Sequence, residues 1–322
     1  MSCRNVNSLY LILISSLLML SACQSGPDDA VAPDGQCTVT FSVTNYRQMN
    51  FDDISASQTT RAMSSYEIAT LAHLLLTVYD AESGKQVVAP VQHDHADYQK
   101  NPTAYLQFTV SLPLGGHYRV LVLGFNGSKA CNIVSPKHIS WADDYVPNTF
   151  LSYDEFTLDD NSELQHEVTL RRVVSAFRVT AEEAIPAELK AMRFSADAGG
   201  VVLDATTGFA TESTGRTSDI IVPADNIGKK NLAFTSFLFL PKAEITTDYT
   251  VQAIGEGNAV LNEIHFAGVP LRINYLTEWT GKVFEGGSVD VTPGQTGFGI
   301  KWDFNYADTI RLVAETTESD VF

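Results

Sequence analysis

Short stretches in which apolar and polar residues alternate, separated by turn sequences, dominate this chain of 322 residues. In the first stretch, Cys37 to Thr44, Val39, Phe41 and Val43 would face one side while threonine and serine face the other. Such alternation is typical of a β-strand that is buried on one face only. The sequence therefore predicts that the chain folds by pairing strands.

Turn sequences recur at intervals of roughly ten residues, which favours an all-β fold of tandem β-sandwiches. We expect helix only at 66–71 and 186–192, and we place one sandwich at 37–165 and a second at 166–322. The expected strands after the first are 74–80, 85–88, 105–112, 117–125, 167–180, 232–240, 249–254, 260–266, 278–284, 289–291 and 298–304.

Composition excludes several classes of protein. With 44% hydrophobic and 18% charged residues, the chain can bury real cores and is not a disordered polymer. Its 38 acidic and 21 basic residues give a net charge of −17, and no basic cluster stands out. A nucleic-acid partner is therefore not expected, because binding to phosphates requires a basic face.

The N-terminus predicts export and lipidation. A basic residue, Arg4, precedes an apolar run from Leu9 to Leu20, which is signal-peptide length and too short to span a bilayer. The sequence Leu-Ser-Ala-Cys ending at Cys23 resembles the lipobox of bacterial lipoproteins. We therefore assign residues 1–22 as a signal peptide and Cys23 as the lipidated residue, anchored in the outer membrane and facing the cell exterior. An ordinary secretory signal with an incidental cysteine is the alternative.

Residues 23–36 form a polar tether, in which Asp28 and Asp29 resemble the acidic export signal of surface lipoproteins in the Bacteroidetes. Four cysteines in this length exclude a disulfide scaffold. Because an exported compartment permits disulfides, Cys37 and Cys131 could pair, although sequence alone does not bring them within bonding distance.

Catalytic and cofactor motifs are missing, and we expect no enzyme activity, no cofactor and no metal. His93-Asp94-His95 would need a third ligand to hold zinc and is interpreted as a solvated loop. The acidic stretch Asp159 to Glu163 lacks the glycine and distal glutamate of a calcium loop and is interpreted as a turn. Three tryptophans, Trp141, Trp279 and Trp302, could form a carbohydrate platform, but core packing is the preferred interpretation.

Four segments resemble the fimbrillin superfamily of the Bacteroidetes, and in particular its anchor-type fimbrial lipoproteins. They are a strand-Asp-turn hairpin, a Gly-x-Tyr-x-Val strand, an inter-domain strand and an Arg-x-Asn-x-x-Thr stretch, at residues 76–85, 115–122, 170–179 and 269–281. The resemblance implies two transthyretin-like β-sandwich domains and a structural role in a fimbria.

The resemblance also implies partners. An anchor keeps its lipid, joins a stalk subunit by β-strand addition, attaches the fimbria to the outer membrane and limits its length. Stalk or tip subunits are instead released by an Arg- or Lys-specific protease that cuts in the loop after the first strand, where Arg47 and Arg61 are the candidate sites. The alternatives are therefore a stalk or tip subunit, or a glycan-binding surface lipoprotein. No motif indicates which host or bacterial surface ligand would be bound.

Overall fold

The computed structural model describes residues 35–47, 71–98, 100–159, 162, 164–285, 289–291, 299–300 and 308–313. This described part is almost entirely β-structure, as the sequence predicts, and contains two short α-helices, α1 (His95–Tyr98) and α2 (Pro102–Leu106). Neither helix in this described part has the length and apolar character of a bilayer-spanning segment.

Among the described residues, nine strands precede residue 173. Seven of them form one sheet in the order β3-β2-β5-β8-β9-β1-β4, and β6 and β7 make a separate hairpin. The sheet folds over on itself, so that inward residues of both halves meet in one core. The strands are β1 (Gln36–Arg47), β2 (His73–Asp80), β3 (Gln86–Asp94), β4 (Gln107–Pro113), β5 (Gly116–Phe125), β6 (Cys131–Ser135), β7 (His138–Trp141), β8 (Thr149–Leu158) and β9 (Gln165–Arg172).

Twelve strands of the described part follow residue 173. They form two five-stranded sheets, β15-β10-β18-β21-β20 and β14-β11-β16-β17-β19, around a second core, while β12 and β13 form a hairpin. The strands are β10 (Val174–Ala181), β11 (Ala191–Ala196), β12 (Leu203–Asp204), β13 (Phe209–Ala210), β14 (Arg216–Ile221), β15 (Leu232–Phe239), β16 (Glu244–Ile254), β17 (Val260–Arg272), β18 (Tyr275–Gly281), β19 (Val289–Val291), β20 (Gly299–Ile300) and β21 (Asp308–Val313).

The two sandwiches repeat one pairing pattern. In the first, β1 pairs antiparallel with β4 and parallel with β9, while β2 pairs with β3 and β5, and β5 pairs with β8. The second sandwich has the same five pairings with the same orientations. The strands that correspond in order to β1, β2, β3, β4, β5, β8 and β9 are β10, β11, β14, β15, β16, β17 and β18. Each sandwich adds one hairpin of its own, β6–β7 in the first and β12–β13 in the second.

These two added hairpins meet in a four-stranded sheet, β13-β12-β7-β6, which joins the sandwiches. Leu203 of β12 pairs with Ile139 of β7. A third apolar cluster surrounds this joint, and Trp141 stacks on Phe239 across it with ring centroids 5.7 Å apart. Arg216 of the second sandwich donates from Nε across the joint to the backbone oxygen of Asp144, and from Nη1 to the backbone oxygen of Phe237 in its own sandwich.

Some local expectations differ from the structure. The predicted strand 167–180 is interrupted at Val173, so β9 stays in the first sheet and the change of sandwich falls there rather than near residue 165. No helix forms at 186–192: the N–H of Leu189 donates to the oxygen of Pro186 in a single turn, and β11 begins at Ala191. The other expected helix, 66–71, lies almost wholly outside the described residues.

Candidate strand-docking site around the first strand

The first strand, β1, lies between β4 and β9, and seven residue pairs join it to each of them. The pairing with β4 is antiparallel and the pairing with β9 is parallel. Without β1, the two neighbours would face each other with unpaired N–H and C=O groups, which is the kind of edge that accepts another strand. The alternation in the sequence of β1 explains which of its faces is packed on the core.

The apolar face of β1 is fully buried. Val39, Phe41 and Val43 are at most 1% exposed. The Phe41 ring stacks on His166 of β9 with centroids 5.4 Å apart, and it meets Phe156 of β8 edge-on at 5.6 Å. Burying side chains of this size is worth about 1.5–3 kcal/mol each. The fold therefore holds β1 by packing as well as by backbone pairing.

β1 enters the fold at the end of the first sandwich that is away from the joint. Gln36 pairs with Pro113, and the neighbouring Gly35 accepts a hydrogen bond from Leu114 N at 2.8 Å. The opposite end of β1, Arg47, pairs with Arg171 beside the joint. Gln36 stands thirteen positions after Cys23, which itself lies outside the described residues together with the signal peptide and residues 24–34 of the tether.

Arg47 is not in a loop. The sequence predicts that the first strand ends at Thr44, but β1 continues through Arg47 because β9 offers parallel partners up to Arg171, with one irregularity between Val43 and Asn45. The backbone of Arg47 is therefore part of a ladder. The second candidate protease site, Arg61, lies outside the described residues.

The two cysteines of the folded part do not form a disulfide in the structure: Cys37 and Cys131 are both free thiols. Cys37 belongs to the first core, on β1, whereas Cys131 begins β6 and packs against the joint cluster. Burial raises the pKa of the Cys131 thiol to about 12. The pairing considered from the sequence therefore does not occur, because the two residues face different clusters.

The His93-Asp94-His95 stretch is not the loop that the sequence predicts, because His93 and Asp94 end β3 and His95 begins α1. His93 stacks on Phe108 at 4.2 Å, and its Nδ1 lies 3.0 Å from the backbone oxygen of Tyr105. Asp94 Oδ1 lies 2.6 Å from His73 Nδ1, and hydrogen bonds from Gln92 and then His73 lower the pKa of Asp94. The described residues contain no cluster of metal-ligating side chains, and Asp160, Asn161 and Glu163 of the acidic stretch are outside them.

Two of the three tryptophans pack inside the protein, in agreement with the core packing that the sequence favours. Trp141 is 3% exposed in the joint cluster, and Trp279 is 3% exposed in the second core, where it meets Phe266 edge-on at 5.2 Å. Trp302 lies outside the described residues. The three tryptophans therefore do not form an exposed platform for a sugar.

The last described strand, β21, lies against β18. Six pairs join them in parallel, from Tyr275 with Asp308 to Thr280 with Val313. β21 therefore occupies the edge of β18 that faces away from β10. The sequence predicts a strand at 298–304 and none at β21, and it gives no signal for this partner, because a parallel contact between distant segments leaves no local pattern.

No protein-family model matches the sequence, and no curated protein matches it. Several solved structures are similar in part. An adhesin candidate from Bacteroides ovatus is 14% identical, with 77% of this chain and 87% of that chain covered and a TM-score of 0.42. The fimbrial anchor protein Mfa2 from Porphyromonas gingivalis is 10% identical, with 70% and 82% covered and a TM-score of 0.34. The tip fimbrial protein Mfa3 from the same organism is 12% identical, with 71% and 81% covered and a TM-score of 0.31.

Proposed function

We propose that this chain is a lipidated cell-surface protein that anchors a fimbria to the outer membrane and limits fimbrial length. It would join a neighbouring stalk subunit by β-strand addition. One observation carries the proposal: β1 begins thirteen positions after Cys23 and is paired on both sides. A lipid on Cys23 would thus be connected through a short tether to a strand inside the fold.

The geometry of β1 suits an anchor. Two or three acyl chains on Cys23 would hold the chain stably in a membrane, where a single chain is marginal. Tension on the tether would reach the fold at Gln36, where the pairing of β1 with β4 begins. The backbone bonds of β1 to β4 and β9 and the burial of Phe41 would oppose removal of the strand.

The stalk or tip alternative requires the opposite fate for β1. A protease cut after Arg47 or Arg61 would release Cys23 and β1 together, and the groove between β4 and β9 would accept a strand from another subunit. The pairing of Arg47 with Arg171 and the burial of Phe41 favour retention of β1. The glycan-binding alternative loses its main support, because Trp141 and Trp279 are buried.

The intact mass of the protein extracted from the cell surface tests the proposal. We expect a chain that begins at Cys23 and carries two or three acyl chains. The variant Cys23→Ala should lose the lipid and leave the membrane fraction, whereas Cys3→Ala, which changes a cysteine inside the signal peptide, should not. A surface chain that begins after Arg47 or Arg61, without lipid, would overturn the anchor proposal and favour a polymerising subunit.

A further inference from the structure

The repeated pairing pattern reveals a difference between the two sandwiches. β18 is paired on both edges, with β10 on one side and β21 on the other. β17 likewise gains β19 on its second edge. Their counterparts in the first sandwich, β9 and β8, pair with each other at only two positions next to the joint, Phe150 with Arg172 and Leu151 with Arg171.

The second edge of β9 presents backbone groups that no described strand uses. The oxygen of Leu164 accepts a hydrogen bond from Thr40 N of β1 at 2.8 Å. Since both backbone groups of a strand residue point to the same side, and alternate residues point to opposite sides, the groups of Gln165, Glu167 and Thr169 face away from β1. Among the described residues, pairing on that side of β9 begins only at Arg171.

The core is less well covered at this edge than at its counterpart. Phe156 and Leu164, which pack on the first core beside the edge, are only partly buried. In the second sandwich, where β19 and β21 are in place, Phe266 of β17 and Trp279 of β18 are at most 3% exposed.

We infer that the second edge of β9, residues 165–170, accepts a strand from a neighbouring fimbrial subunit, parallel to β9 as β21 is to β18. The inference rests on the proposed function, in which subunits join by strand addition, and names the accepting edge. It leaves β1 in place. In a chain that keeps its lipid, β1 continues to fill the groove between β4 and β9. A strand from a partner must therefore pair with another edge.

The edge also defines the partner segment. β21 pairs over six residues, and residues 165–170 offer the same length. Glu167 is exposed on β9 and favours a basic residue opposite it, as Glu278 of β18 stands in register with Arg311 of β21. We therefore expect an extended segment of about six residues with alternating apolar side chains and a basic residue near its centre.

A peptide of this chain's residues 306–315 (YADTIRLVAE), which contains β21, serves as the probe. Fluorescence anisotropy of the labelled peptide, titrated with the full mature protein, should show saturable binding that a scrambled peptide lacks. Glu167→Pro removes an N–H that points away from β1 and should weaken binding about tenfold or more. Glu167→Ala keeps that N–H and should stay within about threefold of the unmodified protein, because an exposed ion pair contributes little.

Disulfide trapping gives a second measurement that requires no proline. A peptide with cysteine in place of Thr309 should cross-link to Gln165→Cys on the β9 edge, but not to Thr109→Cys on β4, both exposed positions. The inference would be overturned if the peptide did not bind, or if Glu167→Pro did not weaken its binding. Equal cross-linking to Gln165→Cys and Thr109→Cys would overturn it as well. Such results would not affect the proposal that the protein is a lipidated anchor. An intact mass without the lipid would refute that proposal, and it would say nothing about peptide binding to the β9 edge.

Discussion

Arg172 of the first sandwich donates a hydrogen bond from Nη1 to Oδ1 of Asn274 in the second, at 3.2 Å. The guanidinium is buried, donates from Nε to Asn148 at 2.9 Å, and lies 4.8 Å from the centre of the Phe150 ring. One side chain therefore contacts both sandwiches at the joint.

Replacing Arg172 by alanine should lower the free energy of unfolding by about 2–4 kcal/mol, because Asn148 and Asn274 lose a buried donor. Arg171→Ala is the matched control, since Arg171 is the exposed neighbour, and it should change stability by less than about 0.5 kcal/mol. Urea unfolding of both variants measures the difference. Equal effects of the two substitutions would show that the buried contacts of Arg172 contribute nothing to stability.

Phe41→Ala should destabilise the first sandwich by about 3–5 kcal/mol, because it leaves a cavity against His166 and Phe156. Thr38→Ala, on the exposed face of the same strand, should change stability little. Hydrogen exchange followed by mass spectrometry should show faster exchange in β1, β4 and β9 of the Phe41 variant. Unchanged exchange in these strands would contradict the assigned role of Phe41 in holding β1.

Limited proteolysis with trypsin should not cut the folded protein after Arg47, because a protease needs a free extended segment and the backbone of Arg47 is paired with β9. The Phe41→Ala variant should be cut there faster, since β1 opens more often. Mass spectrometry of the fragments identifies the bond that is cut. Rapid cleavage after Arg47 in the unmodified protein would mean that the end of β1 is not held in solution.

Asp94 should contribute stability that disappears in acid. Hydrogen bonds from Gln92 and His73 lower the pKa of its carboxyl in the folded protein, so the charged form is stabilised by folding. This stability is present above the ordinary carboxyl pKa, about 3.9, and is lost as the pH falls through the lowered folded value. Melting temperatures of Asp94→Asn and the unmodified protein should thus differ at pH 7 and converge once the pH falls below the lowered pKa of the folded state. A difference that stays constant with pH would contradict this.

The strands that alternate regularly could be predicted from the sequence. β1 and β4 alternate because only one face of each is packed on the first core. β2 and β5 are recognised instead as continuous apolar runs, because both of their faces are buried, one in the first core and the other in the joint cluster. The turn after β2 is recognisable as well: Asp80 accepts hydrogen bonds from the backbone and hydroxyl of Ser83, and Gly84 has a φ of 68°.

Strands that belong to the joint could not be predicted. β7, β12 and β13 are at most four residues long and pack against partners from the other sandwich, so their local sequence carries little pattern. The repeat between the sandwiches is also absent from the sequence, because it conserves which strands pair and not which residues do so. The edge of β9 becomes visible only when β18 and β21 provide the comparison.

The joint has a consequence for how the chain is made. Leu75, Leu121 and Leu123 lie on the outer face of the first sandwich and are covered in part by Leu203 and Phe239, which are synthesised later. A nascent chain that has completed β9 therefore exposes an apolar surface until Phe239, more than sixty residues after the end of β9, has been synthesised. A chaperone that binds this protein during synthesis and export would be needed most in that interval. A fragment that ends after β9 would keep this apolar surface exposed and would remain prone to aggregate.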